Sequence, residues 1–550
     1  MTSRGRFFDL FGGRTHAYIP ELAEQLRKEQ IGRREFLRTS TLLGLSAAAA
    51  YSMSAMITGE VFAQEAAAPA RDGVFGGTLR VAKRVQEITD PAKFSTDAHN
   101  QTRHIAEYLT ETGFDNITRP ALAESWEASE DLKTWTLNLR QGVLFNNGDA
   151  FGAADVEFNL RRWLNKELGS ANASLFSALP DTGIEVVDDH TIKLHLTQAE
   201  LAIPENFFAY TTAILHRSFE ETGSDFAKNP IGTGPYELVS NVYSDTCVLR
   251  KRASGYWGEE PYLDEIIYID TGDGEEAKIA ALASGQVDAV HEISVEQIDL
   301  VKQIPTLTLY DIPTSYTAVA RMRVSEKPFD DIRVRQAVVL SLDHAKILEI
   351  AYRGYGTVGE NHHVAPTHPE YFPLAPLVRD VEKAKALLAE AGYADGLTIK
   401  IDYGQNEQWH GRAVQVMKEQ LAESGINLEL NTMPSASYWD IWTKTPFGFT
   451  SWSDRPLGVM TLKLAYRSGA AWNESNYNSP EFDAALDKAL GILDPALRRV
   501  EMEKVESILQ ADAVIAQPLW RSVFSAASTK VQNYHIHPTL AHFYRDVWIQ

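Results

Sequence analysis

Trp135, Leu137 and Leu139 alternate with polar residues over 133–140, the period-two pattern of a half-buried strand. Ile192, Leu194 and Leu196 repeat it. Thr78 to Ala82 reads as a first strand, Thr89-Asp90-Pro91 breaks it, and a helical segment is expected over 103–112. Gln141-Gly142 turns the chain, and Asn146-Asn147-Gly148-Asp149 turns it again. Ala153-Ala154-Asp155 then opens a helix with Val156, Leu160, Trp163 and Leu164 on one face. Over 380–392, Val381, Ala384, Leu387, Leu388 and Ala391 form an inward stripe with Gly392 as the C-cap. The glycine-rich run from Asn229 to Leu238 enters a strand. It lacks the Lys-Ser/Thr of a phosphate loop, so it is not read as a nucleotide site.

One stretch combines this patterning with chemistry. Phe447 and Phe449 lead, as a β-prone run, into Trp452-Ser453-Asp454-Arg455-Pro456-Leu457-Gly458. The pattern predicts a strand ending in a rigid turn, with Pro456 and Gly458 forbidding regular structure beyond it. Trp452 and Asp454 then keep fixed directions. An aromatic plate beside a carboxylate suits an organic ammonium. A buried Trp beside a solvated turn Asp is the other reading of the same residues.

At 550 residues the chain exceeds one ordinary core, so two or three lobes are expected. Net charge is −22 at pH 7. The first 63 residues hold 8 Lys+Arg against 6 Asp+Glu, which leaves 44 against 68, a net of −24, for the rest. That field repels phosphate backbones and argues against a nucleic-acid partner. Arg33-Arg34 precede a weakly apolar run from Thr41 to Met56, too short and weak for a transmembrane helix. Val61-Phe62-Ala63 follows. Residues 1–63 thus resemble a twin-arginine signal peptide, cut after Ala63 or alternatively after Ala68, with 64–73 as a linker. The expected partner in export is the twin-arginine translocase, and the expected location the periplasm. Cys247 is the only cysteine. An intrachain disulfide, a thiolate metal cluster and a lipid anchor at the cleavage site are therefore excluded, and Cys247 reads as a buried strand residue.

Several spaced motifs carry a family resemblance. Ala123-Glu124-Ser125-Trp126 precedes a strand ending Leu139-Arg140. Asn147-Gly148-Asp149 is followed by Ala154-Asp155-Val156, and then by Gly232-Thr233-Gly234-Pro235-Tyr236. Lys327-Pro328-Phe329-Asp330, the 380–392 helix and Tyr477-Asn478-Ser479-Pro480 continue the series. Together they resemble the extracellular solute-binding proteins of family 5, the dipeptide-, oligopeptide- and nickel-binding components of ABC importers. The resemblance implies an α/β fold of the two-lobed periplasmic type II class, with a subdomain inserted in lobe I. Lobe I is expected at 74–110, 229–313 and 522–550, the insert at 111–228, and lobe II at 314–521. Asp311-Ile312-Pro313-Thr314 is the expected hinge.

It also implies function: a monomer that captures a peptide or peptide-like cationic or zwitterionic solute by lobe closure and hands it to an inner-membrane permease. The alternative solutes are a nickel chelate, haem, or an opine- or sugar-like compound. Peptide binders of the family place an Asp after the Trp at the strand end, which Trp452 and Asp454 match. Arg455 departs from the usual acidic or small residue; it binds a carboxylate or points to solvent. Arg323 stands where the family commonly has Asn, sharing a strand face with Arg321. His362 and His363, with His368, are expected to line the cleft. Adjacent histidines point apart on an extended chain, and no metal site or cofactor is expected. Trp409, Trp439 and Trp442 are core residues or an aromatic wall. The chain beyond the leader has neither Gly-x-Ser-x-Gly nor His-Glu-x-x-His, so no enzyme is expected.

Overall fold

Two long antiparallel strands, Leu307–Met322 and Leu519–Ser528, form the spine of a twelve-stranded sheet. It is seen in a computed structural model that describes residues 15–58, 73–94, 98–272, 274–405 and 407–550. On one side of the spine lie Phe447–Trp452, Leu397–Gly404 and Ile426–Met433 in that order. On the other lie Ala289–Val290, Thr78–Ala82, Glu265–Ile269, Thr246–Lys251 and Tyr236–Val242. Leu397–Gly404 and Ile426–Met433 are parallel, and the helix Gln408–Glu423 makes the crossover that a parallel pair requires. Two clusters of core residues pack on the sheet. One gathers Ile401, Val414, Leu428 and Phe447 and reaches across the spine to Ala82, Leu282 and Val290; the other gathers Val81, Cys247, Leu249 and Ile266. Only the spine strands run through both halves. Their register shifts between Pro313 and Thr317.

The alternating runs form an antiparallel sheet of their own: Ala123–Ala128, Thr134–Leu139, Thr191–His195 and Ile184–Asp188. Trp135, Leu137, Leu139, Ile192 and Leu194 are all buried beneath it. The helix Ala153–Leu164 buries Val156, Leu160 and Trp163 against this sheet. Asp155 caps its start by accepting the Gly152 N–H at 3.1 Å. Asp380, at the N-cap of Val381–Glu390, accepts the Lys383 N–H at 2.9 Å, and Gly392 (φ +92°) follows the end of that helix.

The helix expected at 103–112 is not formed. Helical backbone is confined to His99–Thr102, and Thr110–Thr112 instead pairs with Thr118–Pro120 across a turn that uses Asn116 at φ 59°. Hairpin pairing outcompetes local propensity once a partner strand is eight residues away.

The segment read as a leader is docked, not trailing. Helices Ile19–Arg27, Arg33–Leu42 and Ala47–Thr58 place Ile19, Leu22, Phe36, Leu42 and Met53 in one core with Trp126, Trp135, Leu462 and Leu509. Trp126 donates its indole N–H to Leu42 O at 3.0 Å, and Arg499 meets Glu35 at 2.9 Å. Tyr18 donates to Asp494 at 3.0 Å. Arg34 stays exposed. Ala63 and Ala68, and all of 64–73 except Gly73, lie outside the described residues. Among the described residues no helix is long and apolar enough to cross a membrane.

Candidate functional site

Trp452 ends its strand as the pattern predicts, but regular structure resumes sooner than expected. The helix Gly458–Ala465 begins at the very glycine read as a breaker. Gly458 sits at the first helical position, where a Cβ would lie 2.8 Å from Val364 Cγ1 and 2.9 Å from His368 Nδ1. Its missing side chain allows the 362–368 loop to pack on the helix start. The loop between strand and helix, 453–457, is thereby clamped at both ends.

This loop forms one wall of a cavity of about 540 Å³, part of it open to solvent. Ser453, Asp454, Arg455 and Trp472 face His99, Arg103 and Tyr210 from the far N-terminal half of the chain. Its enclosed part is about 30 Å³, the rest being space continuous with solvent.

Asp454 is held by the spine strand. Its Oδ1 accepts from Ser315 N at 2.6 Å and Ser315 Oγ at 2.7 Å. Among the described residues nothing bonds Oδ2. Burial raises the Asp454 carboxyl to about 6, with the Ser315 bonds and Arg455 pulling it back. The Arg455 guanidinium lies over Trp452 (5.7 Å) and Trp472 (6.0 Å) and donates to Ser453 O at 3.1 Å. Its desolvation lowers its pKa, and the Tyr210 hydroxyl answers it from across the cavity. Trp452 itself is buried beneath, donating its N–H to Glu474 at 2.8 Å. Glu474 also takes Arg321 (2.9 Å) and Thr450 (2.6 Å), so the floor is a closed polar network.

The other residues singled out from sequence stand outside this wall. Arg323 reaches Glu326 at 2.7 Å and Thr443 O at 2.5 Å. Trp409 packs against Tyr352 and Phe449 and donates to Glu407 at 2.6 Å. His363 bonds Tyr466 at 2.7 Å and lies edge-on to Trp452; burial drives its pKa well down, so its ring is neutral. His362 is fully buried, 3.5 Å from both Glu360 and Glu506. Burial pushes Glu506 up to about 10, so that carboxyl is uncharged at neutral pH. His368 donates to Arg455 O at 3.1 Å, while its Nδ1 accepts Ala365 N–H. His368 thus braces the Arg455 turn from behind. Trp442 lies 6.3 Å from Trp452, while Trp439 is 39% exposed. Among the described residues no cluster of three or more His, Cys, Asp or Glu is placed to hold a metal ion.

Ser315, Arg103, Tyr210 and Trp472 were not singled out. The one sequence cue near Arg103 is the glycine-rich run. A Cβ on Gly232 or Gly234 would lie 2.0 Å from Ile105 O or 2.3 Å from His104 O. These glycines let the turn abut the backbone just after Arg103, with Gly234 N bonded to Ile105 O at 2.8 Å.

A doubly flanked sheet with two common strands, and a cavity walled from both ends of the chain, define a type II periplasmic solute-binding protein. Solved structures bear out the fold. The periplasmic binding protein DppA from Helicobacter pylori, in complex with the peptide STSA, matches with TM-score 0.78 at 23% identity over 86% of this chain and 98% of that one. AgaA from A. tumefacien R10, in complex with agropinic acid, matches with TM-score 0.78 at 22% identity, covering 86% and 99%. Residues 118–494 match the model for bacterial extracellular solute-binding proteins, family 5 middle, and the chain belongs to that family. Its members are the substrate-binding components of ABC importers. Among curated relatives, the glutathione-binding protein GsiB of Pectobacterium atrosepticum is 28% identical over 475 residues, 82% of this chain and 90% of its own.

Proposed function

We propose that this receptor captures a short peptide or peptide-like solute through its free ammonium group and delivers it to an inner-membrane permease. The observation that carries the reading is Asp454: one carboxylate oxygen is locked by Ser315, and the other lies on the cavity wall with no bond from any described residue. A buried ammonium needs an ionised acceptor, and Oδ2 is one. Trp452 and Arg455 complete the site. Arg323, His362, His363 and Trp409 act from outside it, as supports of the strand and loop that carry Asp454. The relatives named for glutathione and the neighbour holding the peptide STSA favour a peptide.

Capture proceeds by closure of lobe I (74–110, 229–313, 522–550), with its insert at 111–228, against lobe II (314–521). Asp311–Thr314 is the hinge; the register of the spine strands breaks beside it. Because Ser315 belongs to that strand, hinge motion and the ammonium site are linked. The protein acts as a monomer and releases its solute unchanged. It reaches the periplasm through the twin-arginine translocase, without a lipid anchor. Leader removal after Ala63 strips the 19–58 helices from Trp126. Native mass spectrometry of the purified protein, followed by calorimetry with the recovered compound, tests the reading. A recovered solute without an amine, together with failure of every short peptide to bind, overturns it.

A further inference from the structure

The cavity is more basic than the chain that surrounds it. The whole sequence carries −22, yet the wall bears two guanidinium groups, Arg103 and Arg455, against one carboxylate, Asp454. Arg103 follows the short helix His99–Thr102 and is half-buried. Its guanidinium lies 4.6 Å from the centre of the Phe543 ring, 5.2 Å from Tyr108 and 5.8 Å from Phe208. Aromatic rings cover its surface, and among the described residues no carboxylate pairs with it. Arg455 bonds Ser453 and faces Tyr210, both uncharged. Its nearest carboxylate, Asp454, has one oxygen fully used by Ser315. Elsewhere in this protein some buried guanidinium groups pair with carboxylates, Arg321 with Glu474, Arg162 with Asp90 and Arg521 with Glu292. Others are held by backbone carbonyls, as Arg252 by Leu144, Thr233, Gly234 and Phe145 and Arg335 by Phe329 and Asp512. Arg103 and Arg455 differ in that both face one chamber.

We infer that the solute carries two anionic groups and one ammonium, a net charge of −1, with one carboxylate on Arg103, the other on Arg455 and the ammonium on Asp454. This deepens the proposed function and rests on its assignment of Asp454. The charges then cancel inside the closed cavity, which low dielectric demands. A planar guanidinium stacked on rings still offers its edge N–H groups to a carboxylate in a bidentate fork. The class is an acidic di- or tripeptide: an α-carboxylate, a side-chain carboxylate or a γ-linked glutamate, and a free amine. The pair also gates closure. Arg103 lies in the segment assigned to lobe I and Arg455 in that assigned to lobe II. Closing them on an empty chamber opposes like charges, and a dianionic solute turns that repulsion into two contacts.

The test is calorimetric titration of the full chain with defined peptides: Ala-Glu-Ala and glutathione (two carboxylates each), Ala-Gln-Ala, Ala-Lys-Ala and N-acetyl-Ala-Glu-Ala. Ala-Glu-Ala or glutathione is expected to bind about 100-fold more tightly than Ala-Gln-Ala. Arg103→Gln is expected to remove that preference, lowering the affinity for Ala-Glu-Ala and glutathione by about 100-fold and that for Ala-Gln-Ala by much less. Arg103→Lys, which keeps charge and bulk, should lose an intermediate amount on the acidic peptides alone; it decides the matter if Arg103→Gln fails to fold. Neutral and acidic peptides binding within threefold of each other overturn the inference, as does an equal loss on every peptide in either variant. The acetylated peptide separates the two claims. If it binds as well as the free amine while the acidic preference persists, the Asp454 assignment fails and the arginine pair stands.

Discussion

Replacing Asp454 by Asn removes a charge and little else. The amide oxygen can take the place of Oδ1 and accept the same Ser315 N–H and Oγ–H, so the loop keeps both of its bonds to the spine strand. The clamp at the helix start, Gly458 against Val364 and His368, is untouched. What changes is the second atom, an acceptor that becomes an N–H₂ donor facing a ligand ammonium. Breaking one side of a buried charge pair costs about 3–5 kcal/mol, or roughly two to four decades of affinity at about 1.4 kcal/mol per decade. A pH signature accompanies it. With the Asp454 carboxyl raised to about 6, the empty site is protonated below that pH and cannot hold an ammonium. Wild-type affinity is therefore level above pH 7 and falls about tenfold per unit below pH 6, whereas Asp454→Asn lacks this slope. The stability trend runs the other way. The fold holds this proton more tightly than the unfolded chain, so the empty protein loses stability as pH rises from about 4 through about 6. Other groups on the cavity wall, His99, Arg103, Tyr210 and Arg455, remain in the variant, and comparison with wild type cancels them. The assay is calorimetric titration of both proteins with an amine-bearing peptide at pH 5, 6, 7 and 8, with thermal melts of each. A loss below about threefold, an intact melt and no pH slope would refute the reasoning and leave Asp454 a solvated turn residue.

Lys463 and Glu200 form a fully buried pair at 2.7 Å that ties the Gly458–Ala465 helix to the chain just before the helix Ile203–Asn206. Lys463→Met should cost about 3–5 kcal/mol in chemical denaturation, and adding Glu200→Gln should recover much of it; equal stability of single and double variants would show that Glu200 is neutral or hydrated. Replacing Arg33 and Arg34 by Lys should leave precursor in the cytoplasm, scored by fractionation, and unchanged periplasmic yield would mean another export route. A saturating solute should reduce the radius of gyration in small-angle scattering and raise the melting temperature; superimposable scattering curves with a tight solute would remove the closure mechanism.

Patterns of a few residues determined much of this protein. The strand Thr134–Leu139 and the helix Ala153–Leu164 are legible because side-chain direction repeats every two or 3.6 residues, whatever lies far away. The strand into Trp452 and the Asp454 turn are legible for the same reason, and the ordered motifs point to the family. Residues 103–112 show where local reading stops. Their helical pattern yields to pairing with Thr118–Pro120, a contact that propensity alone does not encode. The cavity lies further still from local rules. Arg455 is legible as a candidate beside Trp452 and Asp454, but Arg103 is an ordinary surface-type residue in its own neighbourhood, and Ser315 is an unremarked strand serine. Arg323, His362, His363 and Trp409 carry the right chemistry in sequence, yet packing turns them toward Glu326, Glu506, Tyr466 and Glu407 instead of the chamber. Period and turn chemistry act within one element, whereas a binding chamber exists only where segments hundreds of residues apart are brought face to face.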